Sequence, residues 1–196
     1  MAEEIGSPDL YLGGVPAYFN GYYPGYAVNA TAGKNVWTWL TLKAHSRNNN
    51  GTVTLKSTNP RDMPNILFNS FSEGGDDDMQ AVMEGMQFGI QAFKNLIPLD
   101  GAFTQIWPPP ATTQTEAELK QFIRDEAWGH HASCTCPIGA DDDPMAVLDT
   151  NFKVRGVDSL RVVDASAFPK IPGTYIVLPI YMLSEKAADA VLADVE

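Results

Sequence analysis

Residues 145–173, MAVLDTNFKVRGVDSLRVVDASAFPKIPG, carry the pattern that decides the fold of the carboxy-terminal part of the chain. Strand-like segments are expected at 145–156 and at 158–164. The second segment, DSLRVVD, has apolar residues on both faces, as a strand buried within a sheet does. We therefore predict that residues 158–164 form a strand of a shared sheet.

Helices are predicted on both sides of this stretch. The closing helix begins at Pro179, and its apolar residues follow one side: Ile180, Leu183, Ala187, Ala190 and Val191. An earlier helix opens at Asp76–Asp78, whose carboxylates are expected to cap its amino end. Its core side is a methionine-rich stripe: Met79, Val82, Met83, Met86, Ile90 and Phe93. Between these two helices, the capping-box spacing of Thr115 and Glu118 predicts a third helix that runs to about Ala127.

Strands are predicted in the amino-terminal half at 36–44, 52–57 and 65–71, where β-branched and aromatic residues are frequent. Residues 1–34 are rich in Gly, Pro and aromatic residues. They are expected to form an ordered covering segment without regular structure, or alternatively the wall of a substrate pocket. Because there is no regular βαβ alternation, this order of elements favours an α+β fold with a mostly antiparallel sheet and flanking helices.

Composition excludes several classes of function. The net charge of −11 argues against a nucleic-acid partner, since phosphate binding needs clustered Lys and Arg. No apolar run approaches the roughly 20 residues of a spanning helix, so no membrane span is predicted. The opening residues, MAEEIGSPDL, lack the pattern of a signal peptide. Glycosylation sequons at Asn29 and Asn50 are too common by chance to fix a compartment, so the localisation stays open.

The side chains best suited to catalysis or metal binding are concentrated around the tandem histidines His130 and His131. In an extended segment neighbouring side chains point to opposite faces, so at most one of the pair is expected to face a given site. Cys134 and Cys136 are separated by one residue, which makes them poor disulfide partners. With the histidines they lack the second spaced pair of a structural zinc site. We predict reduced thiols and no metal.

Three stretches together resemble the carboxy-terminal end of the glucose–methanol–choline (GMC) oxidoreductases: HHASCTCPIG (130–139), residues 145–173, and LPIYMLSEKAADAVL (178–192). That family shows a His, a Thr four residues later and a Gly eight residues later. His131, Thr135 and Gly139 fit this pattern, which selects His131 over His130. Further matches follow in order: Asp149, Val154, Gly156, Leu160, Arg161, Val162, Asp164, Ala165, Ser166 and Glu185–Asp189. The run from Gly51 to Ile66 also resembles the start of the family's carboxy-terminal domain.

The resemblance implies both an architecture and a reaction. Residues 35–157 would form the family's substrate-binding domain, and residues 158–196 would supply a strand and a helix that complete its FAD-binding domain. The implied reaction is oxidation of a small-molecule alcohol by hydride transfer to FAD, with His131 as the general base. The cofactor contacts that it implies are Asp164, Ala165, His130, Thr174 and Ile176.

The chain departs from the family pattern at one position. The family usually has a second His or Asn about six residues before an aromatic residue of the last helix, and counting back from Tyr181 gives Tyr175. A tyrosine can donate a hydrogen bond to the substrate but is a poor base at neutral pH. No GxGxxG motif is present, so the implied partner is an FAD-binding domain or chain that carries it. The alternative hypothesis is a non-redox, flavin-scaffolded enzyme or a cofactor-less binding module in which the histidine pair is structural.

Overall fold

The structure, a computed structural model, describes residues 8–194, which contain four α-helices, two 3₁₀ helices (Pro110–Thr112 and Ala165–Ala167) and four short strands. In chain order the strands and α-helices are β1 (Leu10–Val15), α1 (Tyr26–Ala32), β2 (Thr38–Lys43), β3 (Thr52–Thr54), β4 (Asn65–Leu67), α2 (Asp76–Asn95), α3 (Glu116–Glu126) and α4 (Val177–Ala193). Both strand pairs are antiparallel, β1 with β2 and β3 with β4. The predicted α+β class is confirmed.

Contacts divide the chain into two units, one ending at Trp128 and the other beginning at Gly129. All four strands and the first three α-helices belong to the first unit, whereas α4 belongs to the second. The domain boundaries expected at residues 34 and 157 stay a prediction. Among the described residues, no helix is long and apolar enough to cross a membrane.

The amino-terminal segment contains regular structure, so the expectation of a loop without it was wrong. β1 pairs with β2 along its whole length, from Leu10 opposite Lys43 to Val15 opposite Thr38. Glycines suggested a loop, but Gly14 serves close packing, because a Cβ there would lie 2.4 Å from the Trp37 ring. The strand therefore tolerates glycine where an aromatic ring covers its backbone.

The core of the first unit lies between α2 and α3. Met79 and Met83 of the predicted stripe are buried against Leu119 and Ile123, which confirms that the stripe is core. Each such side chain contributes about 1.5–3 kcal/mol when fully buried. The capping box of α3 is also confirmed, since Thr115 Oγ1 accepts from the Glu118 amide at 3.2 Å and the Glu118 carboxylate accepts from the Thr115 amide at 2.9 Å.

The acidic start of α2 behaves differently from the prediction. The N-cap residue is Gly75, and no side chain caps the helix. Asp78 points instead to the loop after β2, where it accepts from the amides of Arg47 and Asn48 and from the Ser46 hydroxyl. The carboxylate stabilises the connection between a strand and a helix rather than the helix end.

The core of the second unit consists of Leu148, Phe152, Ala167 and Ala187. The strands predicted at 145–156 and 158–164 are absent, and that prediction was wrong. Only isolated bridges form there: Leu148 pairs with Ile138 and with Val154, and Lys153 pairs with Arg161. Left-handed residues turn the chain too often for a strand to develop, with φ of 66° at Phe152, 76° at Gly156 and 60° at Ser159.

Helix α4 begins at Val177, two residues before the predicted start at Pro179. Proline fits within the first turn because the amides there have no partner inside the helix. One side of α4 packs on the core through Ala187, with Leu183 and Ala190 beside it. Large apolar side chains on α4 remain exposed: Val177, Leu178, Tyr181, Met182, Val191 and Leu192.

Candidate functional site

A ladder of backbone hydrogen bonds positions the histidine segment. The amides of Cys134, Cys136 and Ile138 donate to the carbonyls of Ala165, Ser166 and Ala167 at 3.1, 2.9 and 3.0 Å. The segment that carries His131 is thereby fixed to the turn that carries Asp164 and Ala165. Farther along, Gly139 permits close packing, because a Cβ there would lie 2.6 Å from the Ala146 Cβ.

The rings of His130 and His131 lie side by side, with centroids 4.4 Å apart. The expectation that they point to opposite faces was therefore wrong. It assumed an extended backbone, whereas His131 has a φ of 60°, in the left-handed region. The His131 ring also contacts the Tyr175 ring edge-on, with the ring centroids 5.5 Å apart. His130 is exposed and His131 is half-buried.

The surroundings of His131 favour its neutral form. Burial lowers the pKa of His131 below the ordinary value of 6.5, and charge repulsion from His130 lowers it further. A hydrogen bond with the Thr174 backbone acts in the opposite direction, but the net pKa is lowered. At neutral pH the imidazole is uncharged and can accept a proton, which is the requirement for a general base.

Residues 174–176 place the Tyr175 side chain and the Thr174 backbone beside His131, whereas Ile176 is buried. Tyr175 is half-exposed beside His131, and Thr174 faces the imidazole through its backbone. Ile176 is only 5% exposed. Its carbonyl accepts the first helical bond of α4, from the Ile180 amide at 2.9 Å. The side chain of Ile176 is thus buried, and the cofactor contact expected at this residue stays a prediction.

The turn at Asp164 leaves one donor available. The Asp164 carboxylate accepts from both the hydroxyl and the amide of Ser166, at 2.5 and 2.7 Å. These bonds, the hydroxyl first, hold the pKa of Asp164 below its usual range. Among the described residues, the Ala165 amide donates to no acceptor, although its carbonyl accepts from Cys134. The free group at this turn is therefore an N–H, and the carboxylate is occupied by its own turn.

The described residues contain no metal-binding cluster. Within residues 8–194, no group of three or more His, Cys, Asp or Glu side chains is placed to hold a metal ion, and Cys134 and Cys136 are free thiols.

The sequence analysis did not identify Gly173, which precedes Thr174 and has a φ of 82°. A glycine immediately before the candidate residues Thr174 and Tyr175 is the signal that could have indicated a left-handed turn at this position.

Comparison with known proteins places these features in one family. The family model described as GMC oxidoreductase matches residues 47–184. The oxygen-dependent choline dehydrogenase of Vibrio vulnificus is 39% identical over 143 residues, which are 72% of this chain and 25% of that protein. The choline dehydrogenase of Brucella ovis is 42% identical over 146 residues, 72% of this chain and 26% of that protein.

Solved structures agree with the sequence relatives. A variant of the formate oxidase of Aspergillus oryzae RIB40, from work on its FAD modification, superposes with a TM-score of 0.71 at 27% identity. The match covers 97% of this chain and 32% of that one. The chain thus spans about a quarter of the length of the curated relatives that it matches. With a family model that covers most of its residues, this chain belongs to the GMC oxidoreductase family.

Proposed function

We propose that this chain is the substrate-side part of an FAD-dependent oxidoreductase that oxidises the CH–OH group of a small alcohol, with His131 as the general base. The observation that carries the proposal is the half-buried His131 ring, with a lowered pKa, in contact with Tyr175. A neutral imidazole beside a hydroxyl is a suitable pair to hold an alcohol oxygen.

The turn at Ala165 is suited to contact the ring end of FAD. The free Ala165 amide is a donor of the kind that bonds a ring oxygen or nitrogen, and it lies on the turn that the ladder fixes to the histidine segment. The chain contains no glycine motif for the phosphates, so that part of FAD needs the remainder of the protein. When bound, FAD would supply the hydride acceptor.

The proposed steps on this chain concern a proton and a hydrogen bond. His131 accepts the hydroxyl proton of the alcohol while hydride leaves the same carbon, so that the product is a carbonyl compound. Tyr175 donates a hydrogen bond to the substrate oxygen. His130 stays at the rim of the site, where its charge acts on His131 without accepting the substrate proton.

The partner of this chain is proposed to be the FAD-binding part of the same enzyme. The exposed apolar side chains of α4 support it, since Val177, Leu178, Tyr181 and Met182 are each at least 60% exposed. Contiguous apolar surface of this kind usually marks an interface. The choline dehydrogenase relative is about four times as long as the region that matches this chain, so most of such an enzyme lies outside the matched region. We propose that the FAD-binding part lies in that remainder.

The proposal is tested by flavin reduction in the assembled enzyme. The chain combined with an FAD-binding half should lose its flavin absorbance on anaerobic addition of a good alcohol substrate. The chain alone should bind no stoichiometric FAD, because it lacks the phosphate-binding motif. An assembled flavoprotein that stays oxidised with every alcohol tried would support the alternative, in which the histidine pair is structural.

Tyr175→Phe should slow flavin reduction modestly. One neutral hydrogen bond contributes about 0.5–1.5 kcal/mol, which corresponds to a roughly 2- to 12-fold lower rate. Stopped-flow absorbance measures this rate. Equal rates for Tyr175→Phe and the unsubstituted enzyme would show that the Tyr175 ring only forms the wall of the site.

A further inference from the structure

The hairpin of β3 and β4 has one face of large apolar side chains. Val53 and Ile66 are directly opposite each other in the pairing, so their side chains lie on the same face. Leu55 and Phe68, directly after the two strands, continue the alternation along this face. We call these four residues the Val53 face. The other face of the hairpin is mostly polar: Thr52, Thr54, Asn65 and Leu67.

The Val53 face is uncovered within the part of the chain that the structure describes. Each of its four side chains is at least 51% exposed. The other strand pair differs, because β1 and β2 pack against α2 so closely that a Cβ on Gly85 would lie 2.6 Å from the Thr41 side chain. Among residues 8–194, β3 and β4 pack on each other and on no other element to a similar extent. An apolar face of this kind therefore lacks the layer that strands normally bury it against.

Side-chain hydrogen bonds at both ends of the hairpin fix its shape. Before β3 and after β4, Asn69 Nδ2 donates to the Asn50 carbonyl at 2.8 Å. In the connection between the strands, the Asp62 carboxylate accepts from the Ser57 hydroxyl at 2.7 Å and from Asn59 Nδ2 at 3.0 Å. The Val53 face is thus formed before anything covers it, which lowers the ordering cost of binding.

We propose that the Val53 face is a docking surface of the first unit for an apolar surface of the FAD-binding part of the enzyme, separate from the surface on α4. The family match to residues 47–184 includes the hairpin, and the matched region is only 25% of the choline dehydrogenase of Vibrio vulnificus. An enzyme of that length has enough further chain to cover the hairpin. The identity of the partner rests on the proposed function, whereas the docking surface does not require the redox reaction.

The charge of the chain favours this partner over a second copy. Each copy has a net charge of −11, and repulsion between like-charged chains opposes self-association. The Val53 face itself contains no charged residue that could offset this repulsion. A differently charged partner does not meet the same obstacle.

Ile66→Thr and Leu67→Thr form a matched pair that tests the docking surface. The two residues are neighbours in β4 with similar exposure, 51% and 56%, but they lie on opposite faces. Threonine keeps the preference for a strand, so both variants should retain the hairpin. Titration calorimetry between the 196-residue chain and an FAD-binding part measures the Kd of assembly.

Ile66→Thr should raise this Kd on the order of 10- to 100-fold, the effect of losing a buried aliphatic side chain. Leu67→Thr should change the Kd by no more than about twofold, as substitutions on exposed surface do. In the unsubstituted protein, hydrogen exchange at residues 52–54 and 65–67 should be slower in the assembled enzyme than in the chain alone.

Equal Kd values for Ile66→Thr and Leu67→Thr would overturn the docking surface, as would equally fast exchange of the hairpin amides with and without the FAD-binding part. The exchange comparison still decides if Ile66→Thr does not fold. Concentration-dependent dimers of the 196-residue chain that Ile66→Thr disperses would assign the face to a second copy and reject the proposed partner. A Kd raised by Ile66→Thr alone, in an enzyme whose flavin no alcohol reduces, would reject the proposed function and keep the docking surface.

Discussion

Flavin reduction in the assembled enzyme should slow on the order of 10² to 10⁴-fold when His131 is replaced by alanine, the usual effect of removing a general base. His131 is half-buried, uncharged at neutral pH and in contact with Tyr175. Stopped-flow absorbance with a good alcohol substrate, under anaerobic conditions, measures the rate directly.

His130→Ala is the matched control, since it removes the same side chain from the neighbouring, exposed position. Its effect on the rate should be small, but it should raise the pKa of His131, because charge repulsion from His130 is one cause of the lowered value. The acidic limb of the rate profile should therefore move to higher pH. A slower rate in His130→Ala than in His131→Ala, or near-full rates in both, would show that His131 is not the base.

Asp78→Ala should destabilise the first unit by about 3–5 kcal/mol, the cost of removing one partner from a buried charged network. Asp78 is 4% exposed and accepts three hydrogen bonds from Ser46, Arg47 and Asn48, at 2.8–3.0 Å. Its oxygen also lies 3.5 Å from Nζ of the largely buried Lys43. Denaturant unfolding followed by tryptophan fluorescence measures the change, because all four tryptophans lie in the first unit.

Asp76→Ala is the control for Asp78→Ala, because it removes an exposed carboxylate from the same helix turn. Its loss should cost only about 0.3–1 kcal/mol, through the helix dipole. Equal effects of the two substitutions would contradict a structural network at Asp78.

The cost of Asp78→Ala should also depend on pH. Burial acts to raise the pKa of Asp78, but the bonds from Arg47, Asn48 and Ser46 and the charge of Lys43 outweigh it and hold the pKa below 3.8. A carboxyl group whose pKa is lowered by folding stabilises fully above its unfolded value, and the contribution is lost as the pH falls through the folded value. The difference between Asp78→Ala and the unsubstituted chain should therefore shrink below about pH 3.8.

The three longer helices, α2, α3 and α4, were predictable because their signals are local, whereas α1 was not predicted. The methionine stripe of α2 repeats at helical spacing, and Thr115 and Glu118 form a reciprocal cap within four residues. The irregular backbone at 145–164 could not be predicted from composition, because Phe152 and Ser159 adopt left-handed φ values that their residue types rarely show. In β1 the glycines suggested a loop. The packing of Trp37 on Gly14 joins residues that are far apart in the sequence, so no local pattern indicates it.

In the candidate site, too, some features were predictable from the sequence and others were not. The family spacing to Thr135 and Gly139 selected His131, and counting back from Tyr181 selected Tyr175. These two residues are 44 positions apart in the sequence, and their ring centroids lie 5.5 Å apart. The side-by-side histidine rings were not predictable, because they follow from one backbone angle at His131. The buried position of Ile176 depends on the packing of α4 and its neighbours, which its residue type alone does not indicate.

The backbone ladder between 134–138 and 165–167 has a consequence for protein engineering. All three of its hydrogen bonds join main-chain atoms, so they place no demand on the side chains along the way. Ala132 and Ser133, between His131 and the first rung, are therefore natural positions for a saturation library. Such a library would vary the side chains next to His131 while the main chain on their carboxy-terminal side stayed fixed, and its members should differ in the rate of flavin reduction more than in folding yield.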